Sequence, residues 1–375
     1  MRFDLTEEEL MIQKLARDFT INEVEPLAAE IEKTNVTPKE MLKKFADVGL
    51  LGITLPKEYG GSDASVLSDT LVVEEVAKAG IGIEWLVSMN NSIGDTINHF
   101  ASEDLKCKYL PPVCCGDKCL SILFTEPATG SDPKMITTTA KLDGNHYVIN
   151  GEKRFISWAH WDGFGTLYAK DEEGKISNFL IDKNVAGYKT GSPYHKIGGH
   201  AQESVDVYFE NMKVPKENLI GTKGKGFDML LWWIAAEKIQ QSGASLGIAE
   251  AALEESIKYA KERALRNGPM SALQGIQWTL AEMKIRIEAI RTLVYKCACL
   301  REEQSPEWIT MAALCKAFAV PAAEEVTLMG LRLHSGYGYT TDFKIGRLHK
   351  AVLGGFGIAT SIELNKSIVG GWLVH

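Results

Sequence analysis

The hydrophobic pattern of this chain changes period twice, and that double change restricts the available folds more than any other feature. From Thr6 to about Leu110 apolar residues recur at three and four residue spacings, as in Leu15 and Phe19 or Met41, Phe45 and Val48, the mark of amphipathic helices. One internal loop is signalled by Pro56, Gly60, Gly61 and Ser62, and Pro111, Pro112 and Gly116 punctuate the end of the helical stretch. Between about Ser121 and Gly221 the texture becomes short runs separated by Gly, Asp and Asn. His146–Ile149, Gly165–Ala169, Asn178–Ile181 and Ser204–Phe209 read as strands joined by turns. Helical periodicity returns at Gly226 in three long segments, Phe227–Asn267, Leu273–Glu303 and Pro306–Ser335, lengths suited to a bundle. The expected fold class is therefore α+β, with an N-terminal all-α domain over 1–120, a middle β domain over 121–222 and a C-terminal helical bundle over 223–375.

A chain of 375 residues exceeds what one hydrophobic core usually organises. The formal charge of −8 argues against a nucleic-acid-binding surface, which needs an excess of Lys and Arg. Acidic residues precede any apolar run at the start of the sequence, and no stretch approaches the roughly 20 apolar residues of a membrane span; the expectation is a cytoplasmic protein. Seven cysteines, an odd number, disfavour a disulfide framework. Cys114, Cys115 and Cys119 lack the paired spacing of a metal site, and no metal is expected.

Three ordered motifs point to chemistry. Phe124-Thr125-Glu126-Pro127-Ala128-Thr129-Gly130-Ser131-Asp132 is followed by Asn150-Gly151-Glu152-Lys153-Arg154-Phe155-Ile156-Ser157 and by Val214-Pro215-Lys216-Glu217-Asn218-Leu219-Ile220-Gly221. A Gly- and Ser-rich turn between strands lets backbone N–H groups and hydroxyls approach a ligand closely. In sequence, order and spacing these segments resemble the acyl-CoA dehydrogenase family, and the resemblance covers essentially the whole chain. It implies a three-domain fold with a barrel-like middle β domain and a C-terminal four-helix bundle. It also implies FAD as cofactor, with Phe124, Thr125, Gly130, Ser131 and Ile156 around the flavin, Phe155 stacked on the isoalloxazine and Ser157 donating to its N5.

Further on, Gly243-Ala244-Ser245-Leu246-Gly247-Ile248-Ala249 and Tyr259-Ala260-Lys261-Glu262-Arg263 resemble the helix that leads to the flavin pyrophosphate of a neighbouring subunit. Arg263 and Gln274 keep their places in that pattern, Gly336 belongs to its Gly-x-Gly turn, and Arg332 stands where the family has glutamine. An arginine fork suits phosphate. Ser361 is expected on the cofactor as well.

Removing an α-proton while the β-hydride leaves requires a carboxylate base. In many family members that base lies near the C-terminus, at the position of Ala359 in Ile358-Ala359-Thr360-Ser361. The branch typified by isovaleryl-CoA dehydrogenase carries it on an earlier helix, where this chain has Glu237. Glu237 sits in an apolar stretch with Trp232, Trp233 and Ile234, which raises a carboxyl pKa. The plain alternative is a surface glutamate paired with Lys238 or Gln241. Asp95 is a weaker acid/base candidate.

By the same resemblance Trp85, Met89, Asn91, Asp95, Ser131, Trp233, Lys238 and Thr360 border the substrate, and bulky groups among them imply a short branched or alicyclic acyl group such as cyclohexanecarboxyl. Electron-transferring flavoprotein is the implied acceptor and a homotetramer the implied assembly. The same fold also admits an enoyl-CoA reductase or a 1,4-dehydrogenase forming a conjugated dienoyl-CoA. A non-catalytic acyl-CoA or flavin-binding protein is the alternative from another class.

Overall fold

A computed structural model describes residues 4–129 and 132–374. Six helices come first: α1 Glu7–Phe19, α2 Ala28–Thr34, α3 Glu40–Asp47, α4 Val66–Ala77, α5 Glu84–Phe100 and α6 Glu103–Cys114. The first begins on a capping box, with Thr6 Oγ1 accepting from Glu9 N at 3.2 Å and the Glu9 carboxylate accepting from Thr6 N at 2.7 Å. Of the expected punctuation, Gly116 follows the end of α6 at Cys114 with a left-handed φ of +74°, whereas Pro111 and Pro112 lie inside the helix.

The middle region forms one eight-stranded sheet from β1 Cys119–Leu123, β2 Thr139–Asp143, β3 His146–Ser157, β4 Gly163–Lys170, β5 Ile176–Asp182, β6 Tyr188–Thr190, β7 Ser204–Pro215 and β8 Leu219–Ile220. The order is β6-β7-β3-β2-β4-β5-β8, with β1 parallel to β4. Its interior is a separate apolar cluster that includes Ile149, Leu167, Phe179 and Val207. Strands β3 and β7 run far beyond the short segments expected from alternation, which loses the continuation where their pairing slips at Ile149/Gly151 and again at Lys153/Ile156. Each slip is a bulge that breaks the two-residue period and re-aims the side chains after it.

The chain then enters α7 Gly226–Glu262, α8 Gln274–Glu302 and α9 Trp308–Leu333, followed by α10 Lys344–Val352 and α11 Ile362–Val374. Helix α7 ends five residues earlier than the periodicity suggests, where β9 Ala264–Leu265 and β10 Gly268–Pro269 form a small hairpin. The buried helices α4 and α7 cross at backbone contact: a Cβ on Gly247 would stand 1.9 Å from Glu74 O. Helix α5 packs against both α7 and β1, and one continuous core joins both helical regions.

Candidate active site

Helices α5 and α7 face each other across a buried polar centre. Ser88 and Ser92, four residues apart, lie on one face of α5 and donate to the two carboxylate oxygens of Glu237, Ser88 Oγ to Oε1 at 3.0 Å and Ser92 Oγ to Oε2 at 2.8 Å. The indole N–H of Trp233 donates in turn to Ser92 Oγ at 3.2 Å. Glu237 is fully buried, so it is not the surface glutamate of the plain alternative. Burial pushes its pKa up, and the two hydroxyls and the positive charges of Arg301 and Lys316 oppose that rise. An inward carboxylate pinned in one orientation, with its basicity raised by desolvation, has the properties of a proton carrier.

Trp85 and Met89 are buried on the same helix as the two serines. Asn91 departs from the expected substrate contact. Its Oδ1 accepts from Gly52 N at 2.7 Å, while its Nδ2 donates to Asp69 Oδ1 at 2.7 Å and to Leu50 O at 3.3 Å. Both ends of the amide are thus occupied in tying α5 to the 50–52 turn and to α4. Gln240 donates to the other Asp69 oxygen at 2.8 Å, and burial raises the Asp69 carboxyl to about 7. Asp95 is ion-paired with Arg301, whose guanidinium lies 4.9 Å from the Trp232 ring centre and 5.6 Å from that of Trp308.

Two buried lysines complete the surroundings. Lys238 is 4% exposed and burial lowers its pKa to about 8. Lys316 is fully buried, and burial, reinforced by the charge of Lys238, lowers it to about 7. Its ammonium donates to the carbonyls of Ile358 and, at 2.5 Å, Thr360. Those carbonyls bracket Ala359 and Thr360, which adopt φ of +49° and +85°, a conformation that costs a non-glycine residue on the order of 1–3 kcal/mol. The Thr360 hydroxyl accepts from Asn365 at 3.0 Å, and Ser361 Oγ accepts from Leu364 N at 3.2 Å at the start of α11.

A second group of expected residues gathers at the bulged end of β3. Phe155 has φ of +60° and is 58% exposed, with its ring 4.9 Å from that of Tyr194; Ile156 beside it is buried. Ser157 Oγ accepts from Gln202 Nε2 at 3.1 Å. Thr125 O accepts from Arg154 N at 2.7 Å. Phe124 O accepts from Lys153 Nζ at 3.0 Å, and the same fully buried ammonium pairs with Glu126 at 2.8 Å and donates to Tyr168 O at 2.7 Å. Glu126 also accepts from Thr137 and Thr138. Despite its own burial, these partners hold its carboxyl down at about 2, while burial lowers Lys153 to about 8. Gly130 and Ser131 lie outside the described residues.

Arg263, Gly336, Gln274 and Arg332 do not join either group. Arg263 and Gly336 line a groove of about 590 Å³ together with Tyr259 and Tyr337, the guanidinium 5.8 Å from the Tyr337 ring centre. Gln274 and Arg332 are exposed at the start of α8 and near the end of α9. At 1.5 Å per residue, roughly 39 Å of helix separates Arg263 from Glu237, so Arg263 lies outside the buried centre around Glu237.

Over this geometry, residues 6–117, 121–212 and 224–356 match the N-terminal, middle and C-terminal domains of acyl-CoA dehydrogenases. The chain belongs to the acyl-CoA dehydrogenase family. It is 37% identical over 352 residues to the 3-(aryl)acrylate reductase of Clostridium sporogenes, covering 92% of this chain and 93% of that one. It is 34% identical over 351 residues to the caffeyl-CoA reductase–Etf complex subunit CarC of Acetobacterium woodii, covering 92% of both. The solved butyryl-CoA dehydrogenase of Megasphaera elsdenii superposes with a TM-score of 0.97 at 31% identity over 100% of both chains.

The chain is accordingly an oxidoreductase of acyl-CoA dehydrogenase type, acting by dehydrogenation or reduction, and its cofactor is FAD. The residues present fit that group. Phe155, left-handed and 58% exposed, offers an open aromatic face at the bulged end of β3, two residues before the Ser157 hydroxyl. Among the described residues no helix is long and apolar enough to cross a membrane. Ser88, Ser92, Arg301, Lys316 and Gln202 escaped the reading of the sequence. The four-residue spacing of the two serines was a usable signal; the others approach from elements distant in sequence.

Proposed function

We propose that this family member moves hydrogen across the Cα–Cβ bond of a CoA thioester, with Glu237 as the acid/base residue. The observation that carries this reading is the buried Glu237 carboxylate held by two α5 hydroxyls. In the oxidative direction a carboxylate oxygen of Glu237 takes the α-proton, and the product is the enoyl-CoA. Bound FAD supplies the matching two-electron chemistry by accepting the β-hydride at N5, or returning it in reduction. Phe155 would hold the face of the ring, and Ser157 would meet N5.

Trp85, Met89 and Trp233 are large and buried, and around the acyl end they would favour a compact acyl group. The expected short branched or alicyclic group meets that limit; the names of the relatives add short linear and aryl-bearing acyl groups of similar girth. Reduction is a specific second reading, because two relatives at 37% and 34% identity are named as reductases. The 1,4-dehydrogenase reading gains little, since Asp95 is engaged with Arg301. The oriented base counts against a non-catalytic binding protein. Electron-transferring flavoprotein is proposed as redox partner on the strength of the Etf-complex relative, and the homotetramer is carried over from the family resemblance.

Anaerobic flavin bleaching by butyryl-, isovaleryl-, cyclohexanecarboxyl- and 3-phenylpropionyl-CoA, set beside reoxidation of the reduced enzyme by the matching enoyl-CoAs, tests both direction and acyl class. Rapid exchange in either direction with one compact acyl group supports the reading. No exchange with any of them removes it.

A further inference from the structure

We propose that Gln202 is a positioning residue that aims the Ser157 hydroxyl proton toward the flavin. This goes beyond the reading above and rests on its assignment of Ser157 to N5. A serine hydroxyl carries one proton and two lone pairs. At Ser157 one lone pair is filled by the Gln202 amide, which donates from Nε2 at 3.1 Å. The proton is left to serve an acceptor, and among the described residues Ser157 Oγ donates to none. Ser157 is only 7% exposed, so bulk water is a poor outlet for that donor, and an unspent buried donor is costly unless a ligand takes it. With one lone pair taken, the hydroxyl keeps its proton and a single lone pair, and the proton is what it offers to an acceptor in the space beside Phe155.

The loop carrying Gln202 is fixed from both sides, so the amide arrives already oriented. The Gln202 backbone N–H donates to Gly199 O at 3.1 Å, and its carbonyl accepts from Lys196 Nζ at 2.5 Å. On one flank Ala201 N donates to Ile81 O at 2.8 Å; on the other, Trp158 N donates to Glu203 O at 2.7 Å. The last bond joins the loop to the residue after Ser157, so donor and hydroxyl move together. The neighbouring carboxylate does not compete for the Ser157 proton, because Glu203 is held by His160 and by Thr37 N, each at 2.8 Å.

The test compares S157A, Q202E, Q202L and the two double variants as full-length, FAD-loaded protein. Two quantities are read: the visible band of the bound flavin and its anaerobic exchange with an acyl-CoA or enoyl-CoA that works for the wild type. S157A is expected to shift the band and slow exchange by about tenfold, the weight of one directed hydrogen bond. Q202E should reproduce both changes, because a carboxylate accepts the Ser157 proton instead of donating to its oxygen. Q202L, which removes the donor without adding an acceptor, should move both quantities less and in the same direction. In the S157A background each Gln202 substitution should then change the rate by less than about twofold. The proposal is overturned if Q202E and Q202L keep the wild-type band and rate, or if their effects multiply with S157A. Should S157A itself leave band and rate unchanged, the assignment of Ser157 to the flavin falls, and this proposal with it.

Discussion

Removing the two α5 hydroxyls should move the pH at which Glu237 becomes a base. Ser88 and Ser92 donate to the fully buried carboxylate at 3.0 and 2.8 Å, and both bonds favour its ionised form, against a desolvation that favours the acid. A hydrogen bond to a charged group contributes about 1.5–3 kcal/mol, and about 1.4 kcal/mol corresponds to a tenfold change in a protonation equilibrium. Allowing for partial replacement by water, Ser88→Ala or Ser92→Ala should each displace the profile by about one pH unit, and the double variant by about two. The sign follows from which form is stabilised: without the donors the acid form persists to higher pH. The acid limb of flavin reduction by acyl-CoA therefore moves upward, and in the reverse direction the proton-donating form survives to higher pH. Stopped-flow bleaching across the pH range measures this directly. Slower rates with an unmoved acid limb would show that the hydroxyls merely pack, and would refute the electrostatic account of Glu237.

Two predictions concern the scaffold. Lys153→Met leaves Glu126 without the cation at the centre of a pair whose side chains are 0% and 1% exposed, and should lower unfolding free energy by roughly 3–5 kcal/mol in denaturant titrations; a midpoint equal to wild type would contradict a structural role. Glu84 is 1% exposed, and burial raises its carboxyl to about 7. The folded chain therefore keeps a proton that the unfolded chain releases, and stability falls as pH rises from the ordinary carboxylate range through about 7. Glu84→Gln lacks that titration, so its stability relative to wild type should improve between pH 5 and pH 8 by at most about 3 kcal/mol; parallel pH dependences would contradict it.

The order of helices, strands and helices was legible because periodicity survives in long amphipathic segments. It failed in β3 and β7, where bulges at Gly151 and after Lys153 break the alternation and left-handed Phe155 turns a ring outward. Glu237 could be picked out by register and by the missing carboxylate at Ala359, whereas its partners on α5 are 145 and 149 residues away in sequence. Asn91 was misread for a physical reason: an amide facing a pocket and an amide bridging two backbone segments look alike in a helical pattern. Lys316 was invisible because nothing in a sequence shows a lysine whose partners are two carbonyls of a strained turn 42 and 44 residues on.

The most direct test of the account is Glu237→Gln, which preserves the size of the side chain and removes its basicity. With an acyl-CoA that bleaches the wild-type flavin, the variant should retain FAD and bind the thioester, while anaerobic bleaching slows by about 10²–10⁴-fold, the usual contribution of a positioned general base. Bleaching at the wild-type rate would place the proton transfer on another residue and contradict the assignment.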